Sequence, residues 1–361
     1  MKINRIAAII LTVILCLAQV PVYALSSENQ KPAELLQALG YLSDRNGRWT
    51  VVAQNAAGAT PDSEQARVIK DDAQSNLKTG YSKPTDLAYD ILALSSCGYD
   101  ASGLILPLLN RDDMLAQGAN GPIYSLLAVD CSGYTVADST LWDRDALCDA
   151  ILTFQTAEGG FRLDDGMDAD VDITAYALTA LSPYSENKEV ADAIARGVNW
   201  LMHVQNEDAT FSSLGAPTSE STAAVIIALI SLGTPVTGQR FSKDGVTVYD
   251  ALLNFQNADG GFAHWQDGSA NLLSTEQAVM AMGAVCFGKS PFRLAVITPP
   301  ADTSELSLSF VFSTVGIIVL IYLILLLVRK IGDRYASKSA RHATAGDEDK
   351  APSVSTQDID S

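Results

Sequence analysis

ILTFQTAEGGF (151–161), WLMHVQNEDATF (200–211) and ALLNFQNADGGF (251–262) are three versions of one phrase. Gln155, Gln205 and Gln256 stand 50 and 51 residues apart, and each phrase leads into a second apolar stretch. These are DITAYALTAL (172–181), SESTAAVIIALISLG (219–233) and STEQAVMAMGAV (274–285). A fixed period of this size marks an array in which one supersecondary unit recurs. Weaker copies of the second stretch begin at Trp49 (WTVVAQNAAG), Thr85 (TDLAYDILALSSCG) and Asn120 (NGPIYSLLAVDCSG).

The six second stretches are rich in small residues and apolar nearly all round, the pattern of a helix buried on every side. They alternate with six amphipathic candidates at about 31–42, 62–77, 103–116, 139–155, 188–204 and 245–256. Six inner and six outer helices close one ring. No region offers sustained period-two alternation, so the strand signal is thin. AEGGF and ADGGF put paired glycines just past a helix end, where a left-handed backbone is needed. The middle copy has Glu207, Asp208, Ala209 and Thr210 there instead, and so lacks the glycines.

The pattern Q-x-x-x-G-G-F followed by an inner helix resembles the repeat of squalene and terpenoid cyclases and of protein prenyltransferase β-subunits. That resemblance covers about 30–290 and implies an all-α fold, the α/α toroid (α6/α6 barrel). The order of segments, including LLNRDDMLAQGANGPIYSLLAVDCSGY from 108 and TSESTAAVIIALISLG from 218, looks most like Firmicute cell-surface proteins with prenyltransferase/squalene-oxidase repeats. The same toroid is the large domain of the intrinsic factor and transcobalamin carriers, so the resemblance implies a fold used by binders as well as enzymes.

The chain ends suggest an address. MKINRIAAIILTVILCLAQVPVYA (1–24) has Lys2 and Arg5 before an apolar run and a small residue at Ala24, as a secretory signal does. Cys16 follows Leu15, where a lipid-attachment site needs a small residue, so it reads as part of the apolar run. Leu306–Val328 is 23 uncharged, mostly apolar residues, long enough to span a bilayer, and Arg329 and Lys330 follow at once. The expected order is a signal peptide (1–24), an extracellular toroid (25–290), a linker (291–305), one transmembrane helix (306–328) and a polar, disordered cytoplasmic tail (329–361). Formal charge is −18; without Lys2 and Arg5, and with six basic residues balancing six acidic ones in the tail, the exported part is near −20. Such a field disfavours nucleic acid and anionic lipid. Cys97, Cys131, Cys148 and Cys286 read as buried small hydrophobes, since a domain this size builds its own core without a disulfide framework.

The cyclase motif Asp-x-Asp-Asp-Thr-Ala is matched from Asp170 to Ala175 except that Ile173 replaces its last aspartate. The resemblance would make Asp172 a proton donor with Asp170 beside it. Against this, one carboxylate of the motif is missing, and squalene-type cyclases close their cavity between two helical domains where this chain has length for one. The plainer reading of Asp170 is a helix cap, and Ser274–Gln277 resembles a capping box. Parallel inner helices bring their starts to one mouth, so Asp172, Glu220 and Glu276 would form a polar ring there.

No metal or other cofactor is expected. The zinc pattern Asp-x-Cys of the prenyltransferases is absent from the inner helices, Cys97 and Cys131 lie at helix ends, and His203 and His264 fall on an outer helix and a turn. DRDALCD (143–149) and DDGMDAD (164–170) lack EF-hand spacing and read as solvated acidic surface. Three histidines, with no Ser-His-Asp grouping, phosphate loop or nucleotide fingerprint, leave little material for acid–base work. Trp49, Tyr89, Tyr124 and Tyr176 sit on inner helices as core or pocket lining, with Trp265 after the last glycine turn and Phe262 a packing anchor. The combined reading is a membrane-anchored extracellular toroid that binds an apolar small molecule or cell-surface component in the cup at the inner-helix mouth, without converting it. Ligand contacts would come from Trp49, Tyr124, Tyr176, Glu220, Glu276 and Trp265. The alternatives are a terpene-cyclase-like or prenyltransferase-like enzyme using Asp172 as acid, and a structural interaction module.

Overall fold

The small-residue stretches fold as helices with hardly an exposed side chain: every residue from Ser219 to Leu229 is buried. A computed structural model describes residues 31–137 and 140–294. Within them the outer helices are α1 (Ala33–Leu42), α3 (Ser63–Thr79), α5 (Ser102–Leu109), α7 (Arg144–Leu152), α9 (Lys188–Val204) and α11 (Val248–Leu253). The inner helices are α2 (Arg48–Ala56), α4 (Pro84–Ser96), α6 (Asn120–Asp130), α8 (Val171–Leu181), α10 (Ser219–Ser231) and α12 (Leu272–Phe287). Each inner helix packs on the next, and α12 packs back on α2, so the six close into a ring with the outer helices around them. At that last seam Gly283 is required for close approach, because a Cβ there would stand 2.4 Å from the Ala56 carbonyl oxygen.

The repeated phrase is a clasp. Gln155 Nε2 donates to the Gly159 carbonyl (2.8 Å) and to Ala193 on the next outer helix (2.8 Å). Gln205 does the same to Ala209 and Phe241 at 3.1 and 3.2 Å. Gln256 bonds Gly260 (3.0 Å) and the Glu34 carbonyl of α1 (2.8 Å), which ties the last repeat to the first. The phrase-ending Phe161, Phe211 and Phe262 are fully buried, and their amides donate to Thr174, Thr222 and Thr275 of the following inner helices. The middle turn keeps the left-handed backbone without glycine: Ala209 has φ 67°, where Gly159 and Gly260 have 103° and 86°. Asp208 holds it there by accepting from the Thr210 amide at 3.1 Å and hydroxyl at 2.5 Å.

Short antiparallel hairpins break the all-helical expectation in detail: Phe211–Ser213 with Ala216–Thr218, Ser242–Lys243 with Val246–Thr247, and Phe262–Ala263 with Ala270–Asn271. At two or three residues each they are too short to leave an alternating pattern. The capping box expected at Ser274–Gln277 is also corrected. The hairpin carries α12 back to Leu272, and Asn271 is the cap, its Oδ1 accepting from the Ser274 amide at 2.9 Å.

After α12 the chain turns at Gly288 (φ 63°), and the Leu294 amide donates to the Cys131 carbonyl at the end of α6 (2.7 Å). Packed structure therefore runs four residues into the stretch expected as linker. Among the described residues no helix is long and apolar enough to cross a membrane; the expected signal, transmembrane segment and tail lie outside them. Cys97, Cys131 and Cys148 are free thiols, and burial pushes them up to about 11, 11 and 12, which keeps them protonated and unreactive.

Candidate functional site

Trp49, Tyr89, Tyr124 and Tyr176 occupy the first two turns of α2, α4, α6 and α8, so the ring brings four aromatic side chains together at one end of its bore. Ring centroids are 4.9 Å apart for Trp49–Tyr89 and Tyr89–Tyr124, 6.0 Å for Trp49–Tyr124 and 5.6 Å for Tyr124–Tyr176. With Leu273, Gln277 and Met280 of α12 they line a cavity of about 200 Å³. Phe292 packs against two of these rings. Its own ring lies 6.4 Å from Trp49 and 6.2 Å from Tyr176, on helices that face each other across the ring, so it sits on the axis and is 2 % exposed. A larger hollow of about 350 Å³ lies outside the ring beside Lys70, Leu77, Tyr99 and Leu104. It lacks the bore's convergence of four aromatic side chains from four helices.

The acids at the mouth behave as a relay between neighbouring helices. Asp172 of α8 has the Ser221 hydroxyl of α10 close enough to favour its charged form. Glu220 of α10 accepts from the Ser274 hydroxyl of α12 and pairs with His264 Nδ1 at 2.7 Å. Glu276 of α12 accepts from Thr50 Oγ1 of α2 at 2.5 Å. Asp172 and Glu220 stand two residues before Thr174 and Thr222, so these two contacts are equivalent in the repeat. Glu220 and Glu276 are thus turned along the seams between inner helices.

Asp172 differs from the other two. Its Oδ1 is buried with no hydrogen-bond partner. Burial lifts its pKa to about 6, the charges of Asp170 and Glu220 add to that, and the Ser221 hydroxyl and His264 oppose it. Burial likewise lifts Glu276 to about 7 against the Thr50 hydrogen bond. Tyr124 and Tyr176 are held above the ordinary tyrosine range by burial, with Asp172 among the charges that reinforce it. The field of the carboxylate therefore reaches the phenol oxygens at the cup.

Asp170 is the cap of α8: its Oδ1 accepts from the amides of Asp172 (2.9 Å) and Ile173 (3.0 Å), an arrangement worth about 1 kcal/mol. Trp265 is not among the cavity-lining residues; it is 57 % exposed on the hairpin before α12, with its ring 4.5 Å from His264. The hairpin directs it outward, a geometry that sequence position alone does not give. Sequence reasoning missed Gln277 and Met280, which look like any buried face of an inner helix, and Phe292, which lies beyond the last repeat. Tyr89 lines the cup beside the three aromatics chosen as contacts.

Residues 114–282 match the family model of the prenyltransferase alpha-alpha toroid domain. The match covers the three strong repeats and α6, in accord with the closed double ring of helices. Among solved structures, ent-copalyl diphosphate synthase from Streptomyces platensis is similar, with 18% identity and a TM-score of 0.48. The alignment covers 71% of this chain and 50% of that one, so this chain spans half the length of that enzyme. No curated protein sequence matches this chain. Among the described residues no three His, Cys, Asp or Glu side chains are grouped to hold a metal ion.

Proposed function

We propose that the toroid is a binding cup that admits a small, largely apolar molecule through the mouth formed by the starts of the inner helices. The observation that supports this best is the cavity walled by four aromatic side chains from four inner helices. Its volume of about 200 Å³ equals that of roughly six or seven water molecules. That is short of the roughly 300–1,000 Å³ usual for drug-sized ligands, and a long polyprene chain needs still more room. Saturable binding of a panel of small apolar compounds by the full-length protein in mild detergent, lost in Trp49→Ala, is the expected result. An absence of saturable binding across the panel would sink the reading.

A second reading is favoured by the unpartnered oxygen of Asp172: a cyclase-like enzyme in which this carboxyl is the acid. At about 6 its pKa leaves it mostly ionised at neutral pH, which suits a charge partner better than an alkene-protonating acid. Cyclised product from prenyl substrates that disappears in Asp172→Asn would replace binding with catalysis.

We also propose that Leu306–Val328 anchors the protein with the toroid outside the cell, in keeping with the resemblance to Firmicute surface proteins. Protease added to intact cells is expected to degrade the region before Pro299 and spare a C-terminal epitope. An epitope destroyed from outside would reverse the orientation.

A further inference from the structure

The walls of the cup are unusual for a site that takes only apolar matter. Four electron-rich rings, inclined to one another by 41° to 88°, face a common space from four helices. None of the seven lining residues is charged: no lysine or arginine is among them, and Asp172 stands behind the lining. One turn before Tyr176 on the same helix, a carboxylate oxygen is out of water and has no donor. An ionised oxygen in that position is costly unless a positive charge or a donor comes to it. We propose that the cup receives the cationic end of a small organic ammonium compound, with the aromatic faces holding its alkyl groups and the field of the Asp172 carboxylate, one turn from Tyr176, favouring its charge. This rests on the cup being a ligand site and names the class of ligand.

Three further observations bear on it. Aromatic faces attract alkylammonium ions through the ring quadrupole, by about 0.5–1 kcal/mol in exposed sites and 2 or more when dry. Trp49, the most effective ring type, and three tyrosines are grouped here, and Arg48 already lies over the Tyr89 ring at 5.6 Å. That guanidinium is engaged by Asp90 at 3.2 Å and the Asp86 carbonyl at 3.1 Å, so it is committed away from Asp172. Second, burial is the main reason Tyr124 and Tyr176 stay protonated, and the Asp172 charge that adds to it stabilises a cation placed between them. Third, helix starts ordinarily favour anions, but here Asp170, Thr218 and Asn271 take up the first amides of α8, α10 and α12. Asp86, Asp172 and Glu220 add negative charge in the first turns. The mouth is therefore acidic in spite of its dipoles, and a net charge of −18 steers cations toward it. The cavity volume suits a headgroup of about seven heavy atoms.

Calorimetric titration of the full-length protein in non-ionic detergent at pH 8 with choline and its uncharged isostere, 3,3-dimethylbutan-1-ol, separates charge from shape. Choline is expected to bind at least about tenfold more tightly than the alcohol, and Asp172→Asn to abolish most of that preference while the protein keeps its melting temperature or gains. Should the alcohol bind as well as choline, the cup is a plain apolar site: the cationic assignment fails and the binding reading stands. If neither binds at millimolar concentration, the cationic assignment fails again, and the apolar panel alone decides whether the cup binds anything. A preference for choline that survives in Asp172→Asn would also overturn the role given to Asp172.

Discussion

Replacing Phe292 by alanine is expected to cost about 3–5 kcal/mol, the range for deleting a fully enclosed phenyl group. The ring contacts Trp49 and Tyr176 from the axis, where no neighbouring side chain can move in without leaving its own helix. Its removal also takes away a support for Trp49 and Tyr176, two of the rings that wall the cup. Denaturant unfolding followed by far-UV circular dichroism measures the loss, and Phe292→Leu is expected to recover more than half of it. A cost below about 1 kcal/mol would mean that the segment after Gly288 rests on the ring without supporting it.

The second large effect is on pH dependence. Glu276 is 5 % exposed and titrates near 7 in the fold, against 4.5 in an unfolded chain. Below pH 4.5 both states carry the proton and the group contributes nothing. Between 4.5 and 7 the unfolded chain releases its proton while the folded protein retains it, so stability falls as pH rises. Above 7 the full penalty persists, on the order of 3 kcal/mol. Glu276→Gln keeps an oxygen to accept from Thr50 and removes the charge. The variant is therefore expected to melt higher than the parent at pH 8, by about 2–4 °C for each kcal/mol recovered, and to match it below pH 4.5. An unchanged melting profile across that window would show that Glu276 ionises at its ordinary value, with water reaching the seam.

The ring was legible because its punctuation is chemical. A glutamine that clasps two carbonyls, a left-handed turn and a phenylalanine anchor demand particular residue types at fixed offsets, and these recur every 50 or 51 positions. The weaker early repeats lack the clasp, yet their inner helices betray themselves by small, apolar composition. Trp49, Tyr124 and Tyr176 could be chosen because they fall near the start of successive inner helices. What escaped depends on contacts remote in sequence. Glu220 turns toward Ser274, 54 residues on, and Glu276 toward Thr50, 226 residues back, so neither direction can be read from local pattern. Phe292 belongs to no repeat, and its place on the axis exists only after the ring has closed. The start of α12 moved to Leu272 because a hairpin, with cross-strand bonds too few to leave a periodic signature, decides where the helix begins.

Three of the contacts that join the ends of the ring wait for the last repeat and the segment after it to be made. The Glu34 carbonyl is claimed by Gln256, the Thr50 hydroxyl by Glu276, and the Trp49 ring by Phe292. While a nascent chain emerges from the ribosome, α1 and α2 are finished first and their partner surface arrives last, so the growing domain is an open arc with one apolar flank of α2 uncovered. Elongation adds length to that arc without relieving its exposed edge. A premature stop before α12 would leave a crescent, with two sticky ends in place of a smaller toroid, and the burden of shielding α2 during synthesis falls on whatever chaperone meets the chain.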